Sequence, residues 1–115
     1  MHELSIAVSL LEMVEAEAQR HPGARFHKVG LRIGELAGVD LDALTFSWQA
    51  VTMDTDFRKL ELAVEWCPRK HCCPGCGEVL VVHDYQVDCP RCWRPDTLCV
   101  SGEELDIQYL EAETS

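Results

Sequence analysis

No apolar run in this chain approaches the roughly 20 residues needed to cross a bilayer. The amino end has no basic stretch leading into an apolar one. It carries His2, Glu3, Glu12, Glu15 and Glu17 instead, so it does not read as a secretory leader. Cations are scarce: 10 Lys+Arg stand against 20 Asp+Glu, a net charge of −10. Phosphates dominate nucleic-acid affinity, so a chain this acidic makes a poor generic nucleic-acid binder. No Ser/His/Asp set, phosphate-cradling glycine loop or paired acidic site stands out. The three glycines of "GLRIGELAG" suit strand and turn geometry. No low-complexity segment is present, and nothing repeats except one short cysteine motif. These absences point to a cytoplasmic protein with no membrane span.

What is abundant is cysteine, with 7 in 115 residues. An odd count without a leader argues against a disulfide scaffold. In a reducing cytoplasm, clustered cysteines more often bind metal than pair with one another. At 115 residues the chain makes one modest globular unit with room for a small appended module, and its hydrophobic fraction of 47% is enough for one core.

Periodicity divides the chain. Leu4, Ala7, Val8, Leu11, Val14 and Ala18 recur at helical spacing, predicting a helix from Glu3 to about Arg20 that "HPG" stops. Val29, Leu31 and Ile33 then alternate with Lys28, Gly30 and Arg32, predicting a strand. Asp40 is placed to cap a second helix over Leu41 to Thr52, with Leu44, Trp48 and Val51 on one side. "LELAVEW" alternates again, with Leu60, Leu62, Val64 and Trp66 on one face. From Cys67 the pattern breaks, and six cysteines fall before Asp96, among Pro68, Pro74 and Pro90. "EELDIQYLEAE" alternates Leu105, Ile107 and Tyr109, a last strand expected to return to the first sheet. The expected fold is α+β: a small mixed sheet with two helices, over residues 1–66 and 100–115. A zinc-ribbon-like module over 67–99 is inserted into it.

"CPGCG" and "CPRC" supply the chemistry of that insert. Cys73-x2-Cys76 and Cys89-x2-Cys92 lie twelve residues apart. Each tight hook aims two thiolates at one point, and two hooks complete a tetrahedron. Four protein ligands leave no open position, so the zinc is structural and supplies folding energy to a module too short for its own core. Cys72 could replace Cys73, since a C-x3-C hook is also allowed, and iron also accepts four thiolates. Arg69, Lys70, Arg91 and Arg94 balance the negative thiolate cluster. Cys67 and Cys99 lie outside the hooks and read as small buried hydrophobes. His21 and His27 suit a helix end and a wet strand face, and His71 and His83 read as surface residues.

His2 is different. A terminal amine, the His2 amide nitrogen and its imidazole are linked by short chelate rings. An amine titrates at roughly 7.7–8.0 and a histidine at roughly 6.5, so a metal can displace their protons near neutral pH. Nitrogen donors in a plane suit Ni(II) or Cu(II). Any chain with an early histidine has these groups; the helix starting at once would hold them.

Taken in order, "MHELSIAVSLLE", "LRIGELAGVD", C-x2-C-G with C-P-x-C, and "SGEELDIQYLEAE" resemble the HypA/HybF family over essentially the whole chain. The resemblance implies a nickel metallochaperone for maturing [NiFe]-hydrogenase and, for some members, urease. It implies a transient Ni(II) site at the Met1 amine and His2, with Glu3 beside them, and Zn(II) at Cys73, Cys76, Cys89 and Cys92. It implies a HypB-type GTPase and the hydrogenase large-subunit precursor as partners, with urease maturation proteins a further set. Monomer and homodimer both stay open. Two departures stand out: Trp93 follows the last cysteine where members often have Gly or His, and Cys72 precedes the first hook. Trp93 is either a partner contact or a lid over the zinc knuckle. The competing readings are a zinc-ribbon interaction or regulatory module with His2 incidental, and an iron-bearing redox protein.

Overall fold

The computed structural model describes residues 3–114, the side chain of Thr114 excepted. Helix α1 spans Glu3–Arg20 and strand β1 Ala24–Gly34, followed by a single 3₁₀ turn at Glu35–Ala37. Helix α2 covers Leu41–Thr52 and strand β2 Glu61–Cys67. Three short strands follow: β3 (Lys70–Cys72), β4 (Val79–Val81) and β5 (Leu98–Ser101). Strand β6 (Leu105–Thr114) closes the described chain. One sheet has the order β2-β1-β6 and the other β4-β3-β5. The last strand therefore returns beside β1, as its alternation predicts, and the cysteine-rich segment is inserted between two strands of the first sheet.

The chain divides into two compact units. One holds the chain through Leu31, Gly38–Val64 and the chain from Ile107; the other holds Arg32–Ala37 and Glu65–Asp106.

In the first unit, α1 packs on α2. Asp40 caps α2 as its sequence position predicts: its backbone is extended and its carboxylate accepts the Ala43 N–H at 3.1 Å. Such a cap satisfies one of the free donors at a helix start. The far end of α2 is fixed by Trp48, whose buried indole N–H donates to the Leu60 carbonyl at 2.9 Å. Buried indoles need this kind of partner. Leu44 and Trp48 are buried as expected, but Thr52 rather than Val51 completes the inward face.

The inward face of α1 differs from the expected stripe. Ile6, Ala7, Leu10 and Val14 are buried, while Leu4 and Val8 are exposed. Apolar residues run almost all round the first turns of this helix. Spacing alone then allows more than one stripe, and tertiary packing selects the one containing Ala7, Leu10 and Val14. On β1, Val29, Leu31 and Ile33 are buried as their alternation predicts. The β2 face fades toward its end: Leu60 is buried but Val64 and Trp66 are exposed.

In the second unit, the stretches around Gly34 and Gly102 meet backbone to backbone. The Gly34 N–H donates to the Glu104 carbonyl and the Leu36 N–H to that of Gly102, both at 2.7 Å. A Cβ on Gly34 would lie 2.1 Å from the Gly102 carbonyl oxygen, so no side chain fits there. Glu104 ties the same turn from the side, accepting from the Gly102 N–H at 2.7 Å and the Ser101 hydroxyl at 3.0 Å. Its own backbone N–H, the Gly102 N–H and the Ser101 hydroxyl together hold its carboxyl below the usual range. Gly34 and Gly102 thus serve close approach, while Gly38, with open space around it, serves a left-handed turn at φ 71, in keeping with the strand and turn geometry expected.

Candidate metal centre

Strand β3 delivers the chain directly into the first hook, and β4 leaves shortly after it. β3 pairs antiparallel with β4 on one side and β5 on the other. Both hooks are built by the same pair of backbone bonds. In the first, the Cys73 N–H donates to the Glu78 carbonyl and the Gly77 N–H to the Cys73 carbonyl, both at 2.9 Å. In the second, the Cys89 N–H donates to the Arg94 carbonyl at 2.9 Å and the Trp93 N–H to the Cys89 carbonyl at 2.8 Å. The residue after each hook takes a left-handed backbone, Gly77 at φ 78 and Trp93 at φ 67. Glycine does this freely; for tryptophan it costs on the order of 1–2 kcal/mol.

The four sulfurs of Cys73, Cys76, Cys89 and Cys92 all lie within 4.8 Å of one another. Cys73 and Cys92 are 3.3 Å apart, and Cys76 and Cys89 3.6 Å. A tetrahedral zinc with bonds of about 2.3 Å needs sulfurs about 3.8 Å apart, so the donor set fits. Cys73 joins the cluster; Cys72 sits outside it, its sulfur 3.9 Å from the carbonyls of Cys73 and Gly77. The arrangement is consistent with structural zinc, which when bound would cross-link the two hooks.

Backbone N–H groups already prepare this site for thiolates. The Cys76 N–H, helped by the Cys92 sulfur, brings the Cys73 thiol down to about 6 against its burial. At Cys89, burial opposes ionisation, but the N–H groups of Cys92 and Arg91 outweigh it and lower the thiol. Both N–H groups lie 3.4 Å from the Cys89 sulfur. At Cys92 the Arg94 N–H favours the thiolate. The Cys73 and Cys89 sulfurs and burial overcome this, and the thiol is pushed up to about 12. In the same way Cys76, favoured by the Glu78 N–H, is raised by burial and by the Cys89 and Cys73 sulfurs. Four sulfurs this close share protons until a cation replaces them.

The surrounding cations behave as charge balance. Arg94 grips Asp96 at 2.7 and 2.9 Å, and Arg91 lies 4.0 Å from Glu78. Residues 67–99 hold four basic and four acidic side chains, so the negative excess of the chain lies outside them.

Two expectations for this unit need correction. His71 is not a surface residue; it is buried on β3, at 6% exposure. The Arg69 Nε–H donates to its Nε2 at 3.2 Å, so its proton sits on Nδ1, 3.0 Å from the Thr97 hydroxyl. That hydroxyl donates in turn to the Val87 carbonyl. The relay joins β3 to the strand entry after the second hook. Its signal lay in partners 2 and 26 residues away, which the local sequence does not reveal. Cys67 is buried as expected, but Cys99 is exposed, because β5 is an edge strand of the small sheet. His83 is exposed, His21 lies 3.6 Å from Glu17 at the helix end, and His27 lies 3.9 Å from Glu111.

Of the nickel ligands implied by resemblance, Met1 and His2 lie outside the described residues. Glu3 opens α1, and its carboxylate accepts the backbone N–H of Asp40 at 3.0 Å. The first turn of α1 is thereby tied to the cap residue of α2.

Comparison with known proteins agrees with this architecture. Residues 1–112 match the family described as hydrogenase/urease nickel incorporation, metallochaperone, hypA. The chain is 40% identical over 113 residues to the hydrogenase maturation factor HypA of Geobacter metallireducens, covering 98% of this chain and 100% of that one. It is 37% identical, with the same coverage, to that of Alkalilimnicola ehrlichii. Its fold is similar to the solution structure of the Ni metallochaperone HypA from Helicobacter pylori, with TM-score 0.64, 20% identity and all of both chains covered. A second solution structure of a HypA protein gives TM-score 0.71 at 22% identity, covering 100% of this chain and 98% of the other.

Proposed function

Since the chain belongs to the HypA family of nickel-incorporation metallochaperones, we propose that its cargo is held at the Met1 amine and His2, with Glu3 alongside. The family is one of metallochaperones, not of catalysts, and serves hydrogenase and urease maturation. Nickel is therefore substrate here: bound, carried and handed on, with no bond made or broken.

The observation that carries this reading is the bond from the Asp40 N–H to Glu3. It ties Glu3, the residue immediately after the proposed donors, to the start of α2. Preorganisation of this kind reduces the ordering cost of binding. We assign Zn(II) to Cys73, Cys76, Cys89 and Cys92, and we take residues 67–99 as the zinc module and 1–66 with 100–115 as the nickel domain. The GTPase of the HypB type and the hydrogenase large-subunit precursor are the proposed partners in a cytoplasmic setting. No helix among the described residues is long and apolar enough to cross a membrane.

Nickel titration of the native chain against His2→Ala, and against a chain extended before Met1, tests the site. Both changes are expected to abolish tight nickel uptake while zinc content stays at one per chain. Undiminished nickel affinity in either would place the cargo elsewhere.

A further inference from the structure

The twin hooks make Trp93 anomalous. Gly77 and Trp93 occupy the same position, donate the same backbone bond and take the same left-handed φ, 78 and 67. Because Gly77 makes that bond without a side chain, the knuckle itself has no need of an indole. Nor does the indole serve as a lid: Trp93 is 76% exposed. A bulky residue in a left-handed backbone, with its apolar surface in water, is unfavourable to the isolated chain on both counts. Strain of this kind marks functional sites when the surroundings hold it in place. Tyr85, in the turn between the hooks, shows the same combination, with φ 63 and 87% exposure.

We propose that Trp93 is the anchor by which the cysteine module docks on the nickel-receiving hydrogenase subunit, entering an apolar pocket rimmed by carboxylates. The inference rests on the metallochaperone reading for the identity of the receiver, the one partner that nickel incorporation itself requires. Trp, Tyr and Arg are the residue types that dominate binding energy at protein interfaces. Arg94 is already committed to Asp96 at 2.7 Å, whereas Arg91 keeps a side chain 71% exposed, 4.0 Å from Glu78. Of the two arginines of the second hook, Arg91 is the more exposed and the more loosely paired, and so the one placed to meet an acidic rim. The segment that carries both residues has none of the chain's negative excess, so an acidic receiver is not repelled there.

The test uses full-length, zinc-loaded protein tagged at its carboxyl end and the purified large-subunit precursor. Affinity for the precursor is measured by biolayer interferometry for wild type, W93G, W93N, W93F and R91E. Glycine and asparagine both suit the left-handed backbone. For W93G and W93N we expect affinity to fall at least about tenfold, the scale of an interface hot spot. Their zinc content and nickel affinity should equal wild type, with melting temperature unchanged or raised. W93F should retain part of the affinity, and R91E should lose affinity most at low salt. Two outcomes overturn the anchor: precursor affinity unchanged in W93G and W93N, or loss of zinc and a lowered melting temperature in both. The second would make the indole a structural lid. Wild type that takes up no nickel overturns the metallochaperone reading instead, and the nickel titration run beside each variant separates the two failures.

Discussion

The Glu3 carboxylate accepts a hydrogen bond from the backbone N–H of Asp40 at 3.0 Å, while the Asp40 carboxylate caps α2 through Ala43 at 3.1 Å. Two acidic residues 37 positions apart therefore make one junction, in which each satisfies a backbone donor.

Glu3→Ala removes an ionised acceptor, and bonds to charged groups contribute about 1.5–3 kcal/mol. Glu3 is only partly buried, so solvent screening brings this one just below that range. A drop in thermal stability of roughly 1 kcal/mol is expected, together with weaker nickel binding, because the start of α1 is no longer tied. Glu3→Gln keeps an oxygen acceptor and should recover much of the stability. Equal nickel affinity in all three proteins would show that the tie has no bearing on the cargo.

Zinc loading should release fewer than four protons per ion at pH 7. Cys73, at about 6, is already mostly thiolate there, while Cys92, at about 12, is protonated until metal arrives. Calorimetry in buffers of different ionisation enthalpy counts the protons. A count of four would mean that the Cys76 and Gly75 N–H groups do not favour the Cys73 thiolate as the geometry requires. Cys73→Ser should reduce zinc affinity by orders of magnitude, whereas Cys72→Ser should leave it unchanged, since only Cys73 lies in the sulfur cluster.

Glu104 links stability to acid. Its own backbone N–H and that of Gly102 hold its carboxyl below the ordinary 4.5. The stabilisation is thus complete above that value and is lost as pH falls through the lower folded one. Melting temperature followed from about pH 6 to pH 3 should fall less steeply in Glu104→Gln than in wild type. Parallel curves would remove Glu104 from the acid response.

Gly34→Ala should destabilise by roughly 1–3 kcal/mol or more, the scale of overpacking a filled site. The added methyl meets the backbone carbonyl of Gly102, which has no rotamer to change. Denaturant unfolding measures the loss, and a variant as stable as wild type would refute the close crossing.

The parts of this molecule legible in sequence are those with a local cause. Asp40 before an apolar run marks a helix start, and α2 begins and ends where that cap and the following polar turn place it. The four clustered cysteines announce themselves by spacing, and the alternation of Leu105, Ile107 and Tyr109 leads the last strand to the first sheet. What escaped reading depends on distant partners. The expected inward stripe of α1 is wrong at Leu4 and Val8 because Leu4, Ile6, Ala7, Val8, Leu10 and Leu11 surround the helix, and only tertiary packing chooses among them. His71 looked like a surface residue until Thr97 and Arg69 came beside it. Cys99 is exposed because the small sheet ends at its strand. Trp93 was visible as a departure, but its left-handed backbone becomes plain only beside Gly77.

The Glu3–Asp40 junction also sets a schedule during synthesis. Its acceptor is made 37 residues before its donor, so the first turn of α1 waits untied while translation proceeds. At 5–20 residues per second that interval is roughly 2–7 s. A partner or modifying enzyme that engages α1 within that interval meets the helix before Glu3 is tied to Asp40, and one that comes later meets it tied.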